Sequence, residues 1–430
     1  MAALSLAVLA ACPAPRGPGS GAVDGRVLEI GRPGSVLAGV AARGSTVFAS
    51  MGTARPVAST SIEAFAAGAS AARPTWRTDL AGFNGPLAVS GNLVVAAIGG
   101  SGTVAGLALR GEPAAALAAL DATTGAVAWK LAIDATEWAT ISSLAATPDG
   151  VVVGGTFSGT LRIADRVVSS AGRADGFVAR ISTAGALAWV IRVGGAGADS
   201  VAGVAAAGDR LAIAGTFAAG AEIQGQPLPA FDERSLHADA FVAELDPAGA
   251  LRWAHSFGGK TDEAVAGVAI DGAGRVAVAA TIRDTVHLGA ADLVAAGASD
   301  GLVAWWLPDG SPGPTLLLGG SELDGLRAIT AAGEHVVVAG FYRGALQLGD
   351  RALTSSGGDD AFLVELAPGA VVRTWPITGD GREEITALAG FPGGILAGLA
   401  HTTAARIDDD KLPSPSDPMA GAAVVLRPLR

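Results

Sequence analysis

The sequence predicts an all-β fold, a propeller of four-stranded antiparallel blades, and three observations carry that expectation. The 430 residues hold 62 glycines beside an alanine-rich hydrophobic half. Helices do not tolerate that much glycine, whereas short strands and tight turns do. A whole line of sequence then recurs: "DGFVARISTAGALAWVIRVGG" from Asp175 to Gly195 returns as "DAFVAELDPAGALRWAHSFGG" from Asp239 to Gly259. Finally, two series keep a common step. Trp129, Trp189 and Trp253 follow "GAVA", "GALA" and "GALR", at intervals of 60 and 64 residues. "VVVGGTF" at Val151, "LAIAGTF" at Leu211, "VAVAATI" at Val276, "VVVAGFY" at Val336 and "ILAGLAH" at Ile395 mark the same repeat. "VFASMG" at Val47 and "LVVAAIG" at Leu93 extend it toward the N-terminus, giving seven units. A fixed period of this size decides the fold before any local reading does.

Each unit reads as four strands. Around Leu211, "SVAGVAAAG" meets a Gly-Asp turn and then "RLAIAGTF". After an excursion come "DAFVAEL", a Pro-Ala-Gly turn and "LRWAHSF". Apolar residues alternate at period 2 in "FVAEL", with Gly, Asp and Pro at the joins. Repeated about an axis, such units make a propeller. The Gly- and Ala-rich first strands suit the crowded axis, and the fourth-strand tryptophans suit packing between blades. The last unit ends in "AGAAVVLRPLR", which supplies a third strand and no fourth, while "GRVLEIG" at Gly25 stands spare before the first unit. The expectation is a ring closed by strands from both termini, Val27–Ile30 on Val424–Leu426, because an open array would leave sheet edges as aggregation templates.

A net charge of -11, from 40 acids against 29 bases with no basic cluster, removes the electrostatic footing for nucleic-acid binding. The single cysteine, Cys12, excludes an intramolecular disulfide and a multi-cysteine metal site. It ends "MAALSLAVLAAC", an apolar run too short to span a bilayer, followed by Pro- and Gly-rich sequence. Leu9-Ala10-Ala11-Cys12 resembles the lipobox of bacterial lipoproteins, although no Lys or Arg precedes it. The resemblance implies lipidation of Cys12, with residues 1–24 as signal and tether and residues 25–430 as one propeller domain. It also implies a lipid-anchored protein of the bacterial outer membrane or cell surface, otherwise periplasmic or secreted, touching membrane only through that lipid.

"GALQLGDRALTSSGGDDAFLVELAPG" (Gly344 to Gly369) and "GTLRIADRVVSSAGRADGFVARISTAG" (Gly159 to Gly185) resemble the bacterial SBBP β-propeller repeat over most of residues 112–400. The resemblance implies secreted or surface proteins with no established activity. "ALDATTGAVAWK" (Ala119 to Lys130) is similar to the repeat of pyrroloquinoline-quinone propellers and of the lipoprotein scaffold in outer-membrane barrel assembly, within one unit only. The quinone enzymes commonly use a disulfide of adjacent cysteines, which this chain cannot form.

Four residues after a Gly-Gly or Thr-Gly pair stands an acid: Asp199, Glu263, Asp324 and Glu383. Two readings follow. The acids form a partial ring at the channel mouth able to attract a cation, or each accepts backbone N–H bonds in a sharp loop, which a fixed offset favours. The long joins between second and third strands lie on one face. Among them, "QGQPLPAFDERSLHA" offers Phe231, Asp232, Glu233, Arg234 and His237 as a partner-contact patch, against the plainer reading of a hydrophilic loop. The five histidines lack metal-ligand spacing, and no nucleophile elbow, phosphate loop or dinucleotide fingerprint occurs. The functional expectation is a monomeric, non-catalytic binding or scaffold module without cofactor, taking a protein or glycan. The alternative is a propeller enzyme, quinone-dependent or glycan-cleaving, with acids converging at the channel mouth.

Overall fold

Runs of small and β-branched residues between glycine turns become strands, and every regular element among the described residues is one. The computed structural model describes residues 27–30, 35–53, 59–67, 73–231, 237–391, 394–408, 410–412 and 421–428. Cys12, Asp232, Glu233 and Arg234 therefore lie outside the described residues.

The chain is an all-β propeller. Its first sheet runs from Ser35–Arg43 through Thr46–Thr53 and Ser59–Ala66 to Trp76–Ala81. The second joins Phe83–Ser90, Leu93–Gly100, Ala114–Asp121 and Val127–Ala135, and the third Trp138–Thr147, Gly150–Ser158, Asp175–Ser182 and Leu187–Gly194. The fourth joins Ser200–Ala207, Arg210–Phe217, Asp239–Leu245 and Leu251–Gly259, and the fifth Ala264–Ile270, Val276–Ile282, Asp300–Trp306 and Pro312–Leu318. The sixth joins Gly325–Ala332, His335–Tyr342, Asp360–Ala367 and Ala370–Gly379. The last is made from both ends of the chain: Glu383–Phe391, Gly394–His401, Gly421–Pro428 and, outermost, Val27–Glu29. There Val27 faces Val425, Leu28 faces Val424 and Glu29 faces Ala423, antiparallel. First strands of consecutive sheets pack side by side, and Ser35–Arg43 packs on Glu383–Phe391.

These first strands line a central channel of about 470 Å³. Their small residues are a steric requirement: a Cβ on Gly203 would lie 2.9 Å from the Cα of Gly267, and one on Gly39 2.7 Å from the carbonyl oxygen of Gly85. Each also bulges at a matching place, as between Val201 and Gly203 or Val265 and Gly267, which bends the strand around the axis.

Second and third strands form the core. Val151, Val152 and Val153 are fully buried, as is the whole of Asp239–Leu245. The period-2 alternation expected of "FVAEL" to separate core from solvent does not do so, because a neighbouring sheet covers each face. Its charged member is instead paired inside: Glu244 meets Arg210 and accepts from Arg252 Nη1 at 2.8 Å.

The fourth-strand tryptophans lock adjacent sheets. Trp76, Trp129 and Trp189 lie against the turn glycines Gly125, Gly185 and Gly249 of the following sheet. Their indoles donate to the carbonyls of Ala122 (3.1 Å), Thr183 (2.8 Å) and Pro247 (3.0 Å). The turn glycines hold φ of 74, 80 and 87°, and a side chain there would strike the indole.

The joins between second and third strands differ from expectation. Four of them fold into hairpins that add to the outer edge of the preceding sheet, bringing it to six strands. Thr160–Ile163 pairs with Val127–Ala135, Glu222–Ile223 with Leu187–Gly194, Thr285–Leu288 with Leu251–Gly259, and Ala405–Ile407 with Ala370–Gly379. A free outer strand would expose a row of unpaired amides, and the hairpins cover it.

Candidate functional site

The channel is walled by the first strands, mainly with Ala, Gly, Val, Leu and Ile, together with Ser142, Ser143, Thr330 and one charged residue, Arg327. The Arg327 guanidinium lies 4.6 Å from the centre of the Phe341 ring. Ser142 donates to the carbonyls of Gly154 and Val201, and the Ser143 hydroxyl accepts the N–H of Val204 at 3.1 Å, so these hydroxyls stitch the third sheet to the fourth.

Asp199, Glu263, Asp324 and Glu383 are not among the channel-lining residues. They are only 2, 3, 0 and 1% exposed; the first three lie in loops between consecutive sheets, and Glu383 opens the strand Glu383–Phe391. Each stands beside an acid that opens a third strand: Asp199 by Asp175, Glu263 by Asp239, Asp324 by Asp300 and Glu383 by Asp360. Each of the four acids thus shares its joint with a second carboxyl group.

The strand-opening aspartates share a local arrangement. One oxygen accepts a backbone N–H from the preceding loop: Ala171 to Asp175 (2.8 Å), Phe231 to Asp239 (2.7 Å), Ala296 to Asp300 (2.7 Å) and Ser356 to Asp360 (3.0 Å). The loop acids divide by length. Asp199 accepts from Gly195 (2.7 Å) and Ala218 (2.8 Å), and Asp324 from Gly320 (2.6 Å) and Arg343 (3.3 Å). Glu263 and Glu383 carry one more methylene: the Gly259 amide and its own amide still favour the charged form of Glu263, whereas the Glu383 oxygens meet no backbone donor.

Electrostatics follow the same division. Burial is the main cause of every upward shift. It raises Asp199, tempered by the N–H groups of Gly195 and Ala218, and raises Asp324 to about 6. Burial with Asp239 nearby raises Glu263 to about 8, and burial with Asp360 as neighbour raises Glu383 to about 8.

In the proposed contact patch, Phe231 is 40% exposed, and its ring stacks on His287 with centroids 4.3 Å apart. His237 Nδ1 lies 3.5 Å from Asp262 Oδ1. Phe231 therefore leans on the strap hairpin Thr285–Leu288. Among the described residues no group of three or more His, Cys, Asp or Glu is placed to hold a metal ion.

Asp175, Asp239, Asp300 and Asp360 were not singled out from sequence, although a signal is present. "DGF", "DAF", "DGL" and "DAF" open four successive third strands, and the acid is their one shared polar residue.

No family model matches the chain, and no curated protein matches it. Among solved structures it is similar to BamB from Moraxella catarrhalis, at 15% identity over 91% of this chain and 85% of that one, TM-score 0.45. It is also similar to a europium-containing methanol dehydrogenase, at 11% identity over 94% of each chain, TM-score 0.41. An ulvan lyase of polysaccharide lyase family PL25 follows at 10% identity over 94% of this chain and 96% of that one, TM-score 0.49.

Proposed function

We propose that this protein is a seven-bladed propeller closed at a seam of both chain ends, working as a non-catalytic binding or scaffold module for a protein or glycan. Lipid on Cys12 tethers it to the bacterial outer membrane or cell surface, and the strap-bearing face meets the partner. The resemblance of its repeats to SBBP units supports this reading, as does the lipobox-like Leu9-Ala10-Ala11-Cys12.

One observation carries the non-catalytic part. The acids that glycan cleavage would require as a facing pair across a cleft are each committed to a buried joint between sheets, held by backbone N–H groups or by a second acid. The channel presents Arg327 and hydroxyls already bonded to the scaffold.

The test uses the lipid-free chain and a variant lacking residues 224–238, each immobilised and exposed to envelope proteins and cell-surface polysaccharides. Retention by the intact chain and loss by the variant supports the reading. Alcohol oxidation with added pyrroloquinoline quinone, or cleavage of a uronic-acid polysaccharide, overturns it. For the tether, Cys12→Ser is expected to move the protein from membrane to soluble fraction.

A further inference from the structure

Six first strands bulge by one residue at a matching place, and the extra residue is Ala38, Ser142, Ala202, Ala266, Arg327 or Thr386. A bulge re-aims the side chain it carries, and the first five of these line the channel. Small residues suit the crowded axis, yet the sixth sheet places an arginine there. A second departure accompanies it. On the neighbouring second strand the third, fourth and fifth sheets set Thr156, Thr216 and Thr281 beside the bulge, and the sixth sets Phe341. The two unusual residues meet, the Arg327 guanidinium lying 4.6 Å from the centre of the Phe341 ring.

Arg327 is exposed and enters no ion pair among the described residues. The acids bordering it are taken or covered: Asp359 pairs with Arg343 at 2.6 Å, Glu384 with Arg382 at 3.3 Å, and Glu383 is buried. In a chain of net charge -11, a cation held over a ring at the axis and left without a counter-charge is placed to meet an anion from outside. The ring engages the flat face of the guanidinium and leaves its edge of N–H donors free, and that fork matches a carboxylate with two parallel bonds.

The channel supplies the rest of a site. Its volume of about 470 Å³ falls within the roughly 300–1,000 Å³ of small-ligand pockets. Each first strand ends its sheet on the axis side, so its inner edge has no partner strand and offers backbone N–H and C=O groups to the channel. Alanine and glycine leave those groups within reach, whereas the hydroxyls of Ser142 and Thr330 are already bonded within the scaffold. Unpaired amides and carbonyls suit a hydroxyl-rich body, and Arg327 suits one carboxylate on it. We propose that the channel binds a sugar acid, its carboxylate on Arg327 and its hydroxyls on the backbone edges of the first strands. This site is separate from the contact patch at Phe231 and does not depend on what that patch meets.

The experiment titrates the full chain with glucuronate and with glucose, which share a ring and differ by one carboxylate, and reads binding by calorimetry. Glucuronate is expected to bind, and glucose to bind at least about tenfold more weakly. Arg327→Met is expected to weaken glucuronate by about tenfold or more, and Arg327→Lys by less, since lysine keeps the charge without the fork. Phe341→Thr, which restores the residue of the preceding sheets, is expected to weaken it several-fold by releasing the guanidinium from the ring. Because Arg327 is exposed, Arg327→Met is expected to melt with the parent; should it fail to fold, Arg327→Lys carries the same comparison. No binding of glucuronate, equal affinity for glucose, or glucuronate affinity unchanged by replacing Arg327 overturns the proposal. Acetate or inorganic phosphate binding as tightly as glucuronate also overturns it, since the site would then hold any anion.

Discussion

The joint between the first and second sheets and the joint between the fourth and fifth solve one packing problem with different chemistry. In the earlier joint Trp76 covers Gly125 and bonds the carbonyl of Ala122, while hydroxyls finish the contact: Thr78 donates to Gly125 (2.6 Å) and Thr60 to Gly82 (2.9 Å). In the later joint Trp253 covers Gly310, His255 takes that glycine's carbonyl at 2.7 Å, and the buried acids Asp239 and Glu263 stand together. The tryptophan on a turn glycine is common to both and is sufficient for stacking. The carboxyl pair is an addition to that contact.

The largest effect expected of any change is on the joint that both exploit, the ring itself. Removing residues 27–30 strips the outer strand from Gly421–Pro428 and leaves an open edge. The truncated chain is expected to aggregate on purification and to lose a single cooperative melt, as read by light scattering and calorimetry.

Next comes the contact shared by both joints. Trp189→Ala removes an indole packed on Gly249 and its bond to Pro247. Because Trp189 is half-buried, the cost is expected at about 2 kcal/mol rather than the ~3–5 of a fully buried tryptophan. Denaturant melts give that number, and a change below a few tenths would detach the tryptophan ladder from stability.

Asp199→Ala sharpens the acid side of the comparison. It orphans the N–H groups of Gly195 and Ala218, each worth about 1–3 kcal/mol if left unsatisfied when buried, with some return from removing a charge beside Asp175. A net loss of about 2 kcal/mol at pH 7 is expected, whereas Glu263→Gln is expected to stabilise at pH 9. The opposite signs are the prediction, read from melts of the two variants side by side.

The smallest effect belongs to Phe231→Ala. Among the described residues the exposed ring's one aromatic contact is the stack on His287, so stability is expected to change by about 0.5 kcal/mol or less. Binding of the partner in the retention assay is expected to weaken.

Much of this architecture was legible in the chain. The tryptophan series identified interblade contacts because an indole on a glycine turn needs both residues at fixed offsets, and "GALAW" with "TAG" supplies them. The crowded axis was legible because only Gly and Ala fit where first strands converge. Other features depend on partners distant in sequence. "LRIADRVVS" shows a turn between two short runs but not that its edge pairs with Ile133, Asp134 and Ala135. Those excursions therefore read as open loops when they are straps.

At the candidate site, the acids' fixed offset correctly pointed to loop amides for Asp199 and Asp324. The neighbouring aspartates fall earlier in the chain by 23 to 24 residues, across the outer strand, and period-based reading took them only as strand openings. The difference between Asp and Glu at one offset looks conservative on paper. The extra methylene accompanies a larger upward shift, to about 8 at Glu263 and Glu383 against about 6 at Asp324.

The central claim is a wheel closed by opposite chain ends, and cysteine pairing tests it most directly. In a chain carrying Cys12→Ser, Leu28→Cys and Val424→Cys place a thiol on each of two facing residues. Mild oxidation is expected to yield an intramolecular disulfide in a monomer, with a higher unfolding temperature than the reduced form. Free thiols after oxidation, or crosslinks only between chains, would contradict the closure and the face assignments built on it.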